Sequence, residues 1–248
     1  MNAPDATRSA GTRAEGSWLA AAPAMSSAWV SDIGHGRTRQ EDRAAVGSNF
    51  VVVADGVGSV PGGGEAAQVA VGHFCALIVG AGSAQDVVAA VEDTHALIVR
   101  LTERGVLPPK CATTLTAAVG IGSEVLIVNV GDSPGWVLAD DGARSIVRLH
   151  RRWDPFRQSF VLLSALGAKD FSAPAVTTLT PAGRTRIVLA SDGVVADPTD
   201  PDPPEVLELA RAGEVGPAAR RVVDAVLHGV AQDNLTVAVI DVGPAVPV

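Results

Sequence analysis

Four apolar stretches in this 248-residue chain each end or begin on an aspartate set beside glycine or asparagine. FVVVADG carries Asp55, VLIVNVGDS carries Asp132, RIVLASDG carries Asp192, and QDNLTVAVI carries Asp233 near its start. A carboxylate at the mouth of a buried strand loses hydration and needs a partner. If the four converge, each close pair repels by about 4 kcal/mol at an effective dielectric of about 20. A hard divalent cation relieves that repulsion, because it takes oxygen ligands and neutralises the cluster. Taken singly, each aspartate reads equally well as a turn former or strand terminator. Together they propose a carboxylate metal site. The five histidines lack HExxH or any other zinc spacing, so an all-oxygen site favours magnesium or manganese over zinc.

Hydrophobic residues make up 47% of the chain and aromatics 4%, with no tyrosine, so the core must be built from Val, Ala, Leu and Ile. The length suits one sizeable domain. We expect that domain over 27–243, with a flexible leader at 1–26 and a tail at 244–248. A net charge of −8 argues against sequence-independent binding of nucleic acid, which relies on clustered Lys and Arg. No run approaches the roughly 18 apolar residues of a membrane span. The nearest, VGHFCALIVGAG, contains His73 and reads as the end of a buried helix. We therefore expect no nucleic-acid partner, no membrane partner, a cytoplasmic location and a monomer. Cys75 and Cys111 read as free thiols.

Along the chain, two short strands are expected between Ser27 and Val46, then a strand over Phe50–Ala54 and a glycine-rich loop. Helices follow over Glu65–Val79 and Ser83–Arg104, the second capped by Ser83 and periodic in Val87, Ala90, Val91, His95, Ile98 and Leu101. TTLTAAVGIG and SEVLIVNVG form strands around Gly122-Ser123, and GWVLA and RSIVRL flank the hairpin signal Asp140-Asp141-Gly142. From His150 to Ala175 the periodicity fades. RIVLAS and LTVAVIDV are strands, and Glu205–Val230 is helical with a break at Gly216-Pro217. The prolines of 197–204 make a stiff connector. Strands arrive in runs and not in βαβ alternation, so the class is α+β, antiparallel sheet packed with helices.

Several motifs compete. Gly131–Gly135 matches the G-x-S-x-G nucleophile elbow, but Pro134 lacks the N–H that an oxyanion hole requires, and strand sequence follows where a helix is needed. The loop after Asp55 imitates a dinucleotide fingerprint. Yet Pro61 falls where the third glycine belongs, and Asp55 would face a pyrophosphate with like charge. No Lys-Ser or Lys-Thr follows, so it is not a P-loop. In Gly34–Asp42, Arg37 could fork onto phosphate oxygens while Glu41 and Asp42 hold metal-bound water; an exposed, self-paired charged turn would look the same.

In order, these segments resemble the metal-dependent protein serine/threonine phosphatases of the PPM, or PP2C-type, family. SDIGHGRTRQED resembles the opening S-x-x-G-x-x-R-x-x-N-E-D, and VVVADGVGSVPGGGEAA resembles D-G-M-G-G…G-E-x-A. ATTLTAAV with VNVGDS is similar to the G-T-T and V-G-D-S-R pair; LASDGV and QDNLTVAV resemble S-D-G and D-N-x-T. The match runs from about Ser31 to Asp241. It implies a four-layer α-β-β-α sandwich of two mainly antiparallel sheets, with two and at most three Mn²⁺ or Mg²⁺ ions in a cleft at one end. By position, Asp55 would bridge two ions, Asp192 and Asp233 would complete the first, and the Gly56 carbonyl would serve the second. Asp132 would bind a third. Glu41 and Asp42 would act through coordinated water, and Arg37 would grip the substrate phosphate. Thr113, Thr114 and Asn234 would support the ligand strands. The implied reaction is hydrolysis of phosphoserine or phosphothreonine in proteins by a metal-activated water, with a phosphoprotein substrate and a Ser/Thr kinase or its target as partner.

Departures from the pattern are Val57, where many eukaryotic members have a proton-donating histidine, and Pro134, where arginine is usual. Gln40 replaces the usual asparagine and Ala112 the usual glycine. Asp197 lies one place further from Asp192 than the family's acid. Between Leu149 and Gly167, where the family carries a mobile flap, the chain is short and reads RRWDPF, so a compact or altered flap is expected. Two other functions share these motifs: a non-catalytic relative that binds a kinase or phosphoprotein, and a phosphatase of small-molecule esters.

Overall fold

The computed structural model describes residues 23–58, 61–181, 183–195 and 205–243. The strands in chain order are β1 (Met25–Asp32), β2 (Arg43–Val46), β3 (Phe50–Ala54), β4 (Leu115–Ile121), β5 (Glu124–Val130) and β6 (Gly135–Ala139). They continue with β7 (Gly142–Ser145), β8 (Arg151–Asp154), β9 (Ser159–Leu162), β10 (Ala175–Leu179), β11 (Thr185–Ala190) and β12 (Leu235–Val242). The helices are α1 (Gly63–Ile78), α2 (Ala84–Glu103) and α3 (Val215–His228). Two five-stranded sheets run β1-β12-β11-β6-β7 and β10-β5-β4-β3-β2, and every pairing in them is antiparallel.

Because successive strand side chains point to opposite faces, the central strands are apolar on both. In β3, Val51 and Val53 enter the layer between the sheets with Ile127, Ile187, Leu189 and Ile240. Val52 and Ala54 turn outward beneath Phe74, Val91 and Ile98 of α1 and α2. Across the molecule, Val188, Val237 and Val239 meet Ala219, Val222 and Val223 of α3. The outcome is the four-layer α-β-β-α sandwich. Both cysteines are free. No helix among the described residues is long and apolar enough to cross a membrane.

Local signals account for most boundaries. Ser83 caps α2 in a capping box with Asp86, each side chain accepting from the other's backbone N–H. The β4–β5 hairpin turns at Gly122-Ser123 as expected. Elsewhere the structure departs from the sequence reading. β1 and β2 belong to different sheets. The strand expected over RSIVRL is only β7, because Ile146 bends into the inter-sheet core and its N–H bonds to the Gly135 carbonyl. The helix expected over 205–230 is a 3-10 turn (Glu205–Ala210) followed by α3, and the interruption precedes Gly216-Pro217. Pro217 lies in the first turn of α3, where its missing N–H breaks no helical bond. The stretch read as irregular contains the β8–β9 hairpin and leads into β10. The expected leader, the proline connector with Asp197, and the tail fall on 1–22, 196–204 and 244–248, outside the described residues, except that Met25 and Ser26 begin β1.

A buried ion pair fastens the sheet end opposite the aspartates. The Arg186 side chain is 7% exposed and donates to both Asp241 carboxylate oxygens at 2.6 Å, and also to the Ala210 and Gly213 carbonyls. Burial alone would raise the Asp241 carboxyl, but hydrogen bonds from Arg186 and then Arg184 outweigh it and hold it below its usual value. Its stabilisation is therefore present above the unfolded carboxyl pKa and lost as pH falls through the lower folded one. Asp241→Ala, which strands the Arg186 charge, should cost about 3–5 kcal/mol in urea unfolding, and Arg186→Met with Asp241→Leu should recover most of it.

Candidate metal centre

The sandwich brings the four strand-end aspartates to one end. Asp55 follows β3 and Asp132 follows β5 in one sheet; Asp192 follows β11 and Asp233 precedes β12 in the other. All four, with Arg37 and the Gly56 backbone, line a cleft of about 540 Å³.

Hydroxyl and amide side chains fix the backbones that carry them. The Asp55 N–H donates to Thr114 Oγ1 at 2.9 Å, and the Asp55 carbonyl accepts from the Thr114 N–H and from Thr113 Oγ1. Thr114 Oγ1 also meets Ser133 Oγ at 2.6 Å, which ties the Asp132 loop to the Asp55 strand. Thr116 and Asn129 both donate to the Ser133 carbonyl. Gly131, at φ +109°, leaves no room for a Cβ, which would meet Thr114 at 2.6 Å. Ser133 is thus wholly buried and followed by β6, so the G-x-S-x-G match is a structural turn. Pro134 contributes its carbonyl to the Ala190 N–H, joining this loop to β11.

Asp42, just before β2, is 3% exposed and reaches across to the other sheet, where its Oδ2 accepts from the Ser191 and Thr236 hydroxyls at 2.7 Å. Its Oδ1 is buried with no hydrogen-bond partner. Asn234 donates to the Ile33 and Arg39 carbonyls and accepts from the Glu41 N–H, so it anchors the whole Arg37 loop. Gly193 fits only as glycine, since a Cβ would approach the Asn234 carbonyl to 2.1 Å. Glu41 lies beside Arg37, both packed against Gly58. Arg37 Nη2 donates to Asp233 Oδ2 at 2.6 Å.

Burial first, and then the charges of Asp192, Asp42 and Asp132, push the Asp55 carboxyl well above its ordinary value. Burial and Asp233 raise Asp192 despite the opposing pull of Arg151 and Arg37. Asp132 is pushed up to about 6 by burial and then by Asp192. Asp42 is also pushed up to about 6, burial outweighing the hydroxyls of Ser191 and Thr236. With burial and like charges raising both Asp55 and Asp192, the cluster favours keeping a proton when no cation is bound. A divalent cation would displace that proton.

The donor set fits such an ion: all oxygen, half-buried at the cleft, of one charge, with the orphaned and buried Asp42 oxygen close behind. Among the described residues no three His, Cys, Asp or Glu side chains close on one point tightly enough to hold an ion as they stand. The Asp233 carboxylate is turned to Arg37, which accounts for part of that gap. Sequence reasoning missed Arg151 on β8, whose charge acts on Asp132 and Asp192, and Lys110, which lines the cleft. Arg151 lay in the stretch without periodicity. Ser191 and Thr236 were also missed as partners of Asp42, although each stands in a motif that drew attention for its aspartate.

Two sheets flanked by helices, with acidic strand ends and an arginine at one cleft, define a phosphatase-type metal fold. The chain belongs to the protein phosphatase 2C family, whose description matches residues 14–233. The Ser/Thr protein phosphatase PstP of Mycobacterium tuberculosis is 28% identical over 233 residues, covering 86% of this chain and 44% of that protein. The chain therefore spans less than half the length of the curated relatives it matches. The catalytic domain of PstP, solved with two manganese ions, superposes with a TM-score of 0.77 at 26% identity, covering 89% of this chain and 99% of that one. The PPM Ser-Thr phosphatase MsPP of Mycobacterium smegmatis, solved with cacodylate, gives a TM-score of 0.75 at 26% identity over 90% and 100%.

A carboxyl whose folded pKa is raised stabilises the fold below its unfolded pKa, and that contribution is lost as pH rises through the folded value. Thermal unfolding in EDTA should therefore show stability falling between about pH 4 and about pH 6. The gain in Tm from added Mn²⁺ should grow over the same interval, as protons leave the ligands. Asp132→Asn should raise Tm in EDTA by removing repulsion, and shrink the Mn²⁺ shift.

Proposed function

We propose that the chain is a metal-dependent phosphatase acting on phosphoserine or phosphothreonine in proteins, with Mn²⁺ or Mg²⁺ as cofactor. The observation that carries the reading is the cleft where Asp55, Asp132, Asp192 and Asp233, drawn from both sheets, share a wall with Arg37. Asp55, Asp192, Asp233 and the Gly56 carbonyl would hold two ions and Asp132 a third, while Glu41 and Asp42 would add negative charge from the flank and from below. When bound, the ions supply an activated water and a positive clamp for the phosphoryl group.

The chain's own residues set up the rest. Arg37 and Asp233 neutralise each other at 2.6 Å with both side chains more than a third exposed, so the pair is exchangeable. A phosphate that draws off Arg37 frees Asp233 for an ion, and an ion that claims Asp233 frees the guanidinium fork for phosphate oxygens. Binding of the two would thereby reinforce each other. Thr113 and Thr114 hold the Asp55 backbone still, and Asn234 holds the loop that aims Arg37. Val57, which also lines the cleft, has no proton to give, so a departing alkoxide must take one from water. The partner would be a phosphoprotein, with a Ser/Thr kinase as the opposing activity. The Ser/Thr protein phosphatase PstP, which this chain resembles, supports that reading.

With Mn²⁺, the protein should hydrolyse an aryl phosphate and a phosphothreonine peptide. Asp192→Asn should lower kcat/KM on both by at least about 100-fold, the scale of a metal-site lesion, without lowering Tm in EDTA. Unchanged activity in excess EDTA would contradict the reading.

A further inference from the structure

The β8–β9 hairpin stands apart from both large sheets as its own two-stranded ribbon. The bond from the Leu163 N–H to the His150 carbonyl closes its base, and the His150 N–H, donating to the Gly131 carbonyl next to Asp132, joins it to the body. Its β9 arm and its tip form part of the cleft wall, through Phe160, Val161, Leu162 and Arg157. One face of the ribbon is braced internally: Trp153 meets Phe160 edge-on at 5.3 Å, and the Arg151 guanidinium lies 4.2 Å over the Phe160 ring. That bracing lets an otherwise isolated hairpin keep its shape.

The tip has no such internal purpose. Phe156 is 96% exposed, the most exposed large apolar side chain among the described residues. Arg152 is exposed and forms no ion pair among the described residues, and Arg157 meets only the neighbouring Asp154, at 3.6 Å. Lys110, also exposed and on the wall of the same cleft, likewise has no ion pair among the described residues. The protein as a whole is acidic at −8, yet the seven residues RRWDPFR carry three arginines against one aspartate. The cleft therefore has an acidic floor and a wall that is basic and aromatic at Arg157, Lys110 and Phe160, while Arg152 and Phe156 stand exposed on the same hairpin. Such a surface repels a basic peptide and attracts an acidic one.

We propose that this hairpin is a docking arm for the protein substrate. It takes an acidic segment beside the phosphorylated residue, with Arg152 and Lys110 meeting the carboxylates and Phe156 covering an apolar side chain of that segment. The proposal rests on the phosphatase reading and names its substrate class.

Two measurements test it. The first is fluorescence anisotropy of a labelled peptide with Glu and Leu around an unphosphorylated threonine, in EDTA, so that neither metal nor turnover is involved. The intact protein should bind this peptide more tightly than the same peptide with Lys for Glu, and added salt should erase the difference. Phe156→Ser and Arg152→Glu should each weaken binding by about tenfold, as loss of an aromatic anchor or reversal of a rim charge would. The second is kcat/KM with Mn²⁺, where both variants should lose activity on the acidic phosphopeptide and keep it on an aryl phosphate, which fits the cleft without extending to Phe156 or Arg152, neither of which lines it. Equal binding of acidic and basic peptides, or variants that bind as the intact protein does, would overturn the docking arm. Failure of the intact protein to hydrolyse even the aryl phosphate would instead overturn the phosphatase reading, leaving the anisotropy result to stand on its own.

Discussion

Charge repulsion between crowded carboxylates governs this end of the molecule. Asp55 and Asp192 are half-buried and set against each other and against Asp42, Asp132 and Asp233. Left alone, such a group would open the sandwich or hold protons at neutral pH. The fold resists the first because the strands behind the aspartates are buried on both faces, so their ends cannot drift apart without exposing the layer between the sheets. Proton uptake and cation uptake then become competing answers to the same repulsion, and the raised carboxyl pKa values express that competition.

The scaffolding around the aspartates is built from small neutral groups. Thr114, Ser133, Ser191, Thr236 and Asn234 satisfy backbone or carboxylate atoms and add no further charge. Each links two segments distant in sequence, so displacing one aspartate-bearing loop pulls on the next. The cationic partners differ in kind. Arg37 is half-open to solvent and paired with a prospective ligand, while Arg151 stands on a separate ribbon and reaches the cluster by charge. The acidic centre thus has one exchangeable counter-charge and one carried on an appendage that also shapes the cleft wall.

Much of the architecture was legible along the chain because local rules coincided with the global fold. The cap at Ser83, the turn at Gly122-Ser123 and the apolar runs of β3, β5, β11 and β12 each announced an element that the structure contains. What escaped were elements whose residues answer to something other than their own periodicity. β8 and β9 are short and charged, stabilised by cross-strand aromatic and cation–π contacts that leave no period-two signature. The end of the strand expected after Gly142 was lost because Ile146 gained more from the inter-sheet core than from continued pairing. The 3-10 turn before α3 looked helical because its apolar spacing serves the same buried face.

By itself, the order of residues determined that four aspartates would stand at strand ends, that the strands would be buried, and that an arginine loop would precede them. Those follow from hydropathy and turn chemistry within a few residues of each site. Only the tertiary structure decided that the four ends meet, that Arg37 reaches Asp233, that Asp42 hangs beneath on Ser191 and Thr236, and that Arg151 and Lys110 join the cleft. Each of these depends on pairing between segments up to about two hundred positions apart, and the energy that selects such pairings resides in the packed core, beyond the reach of any local window.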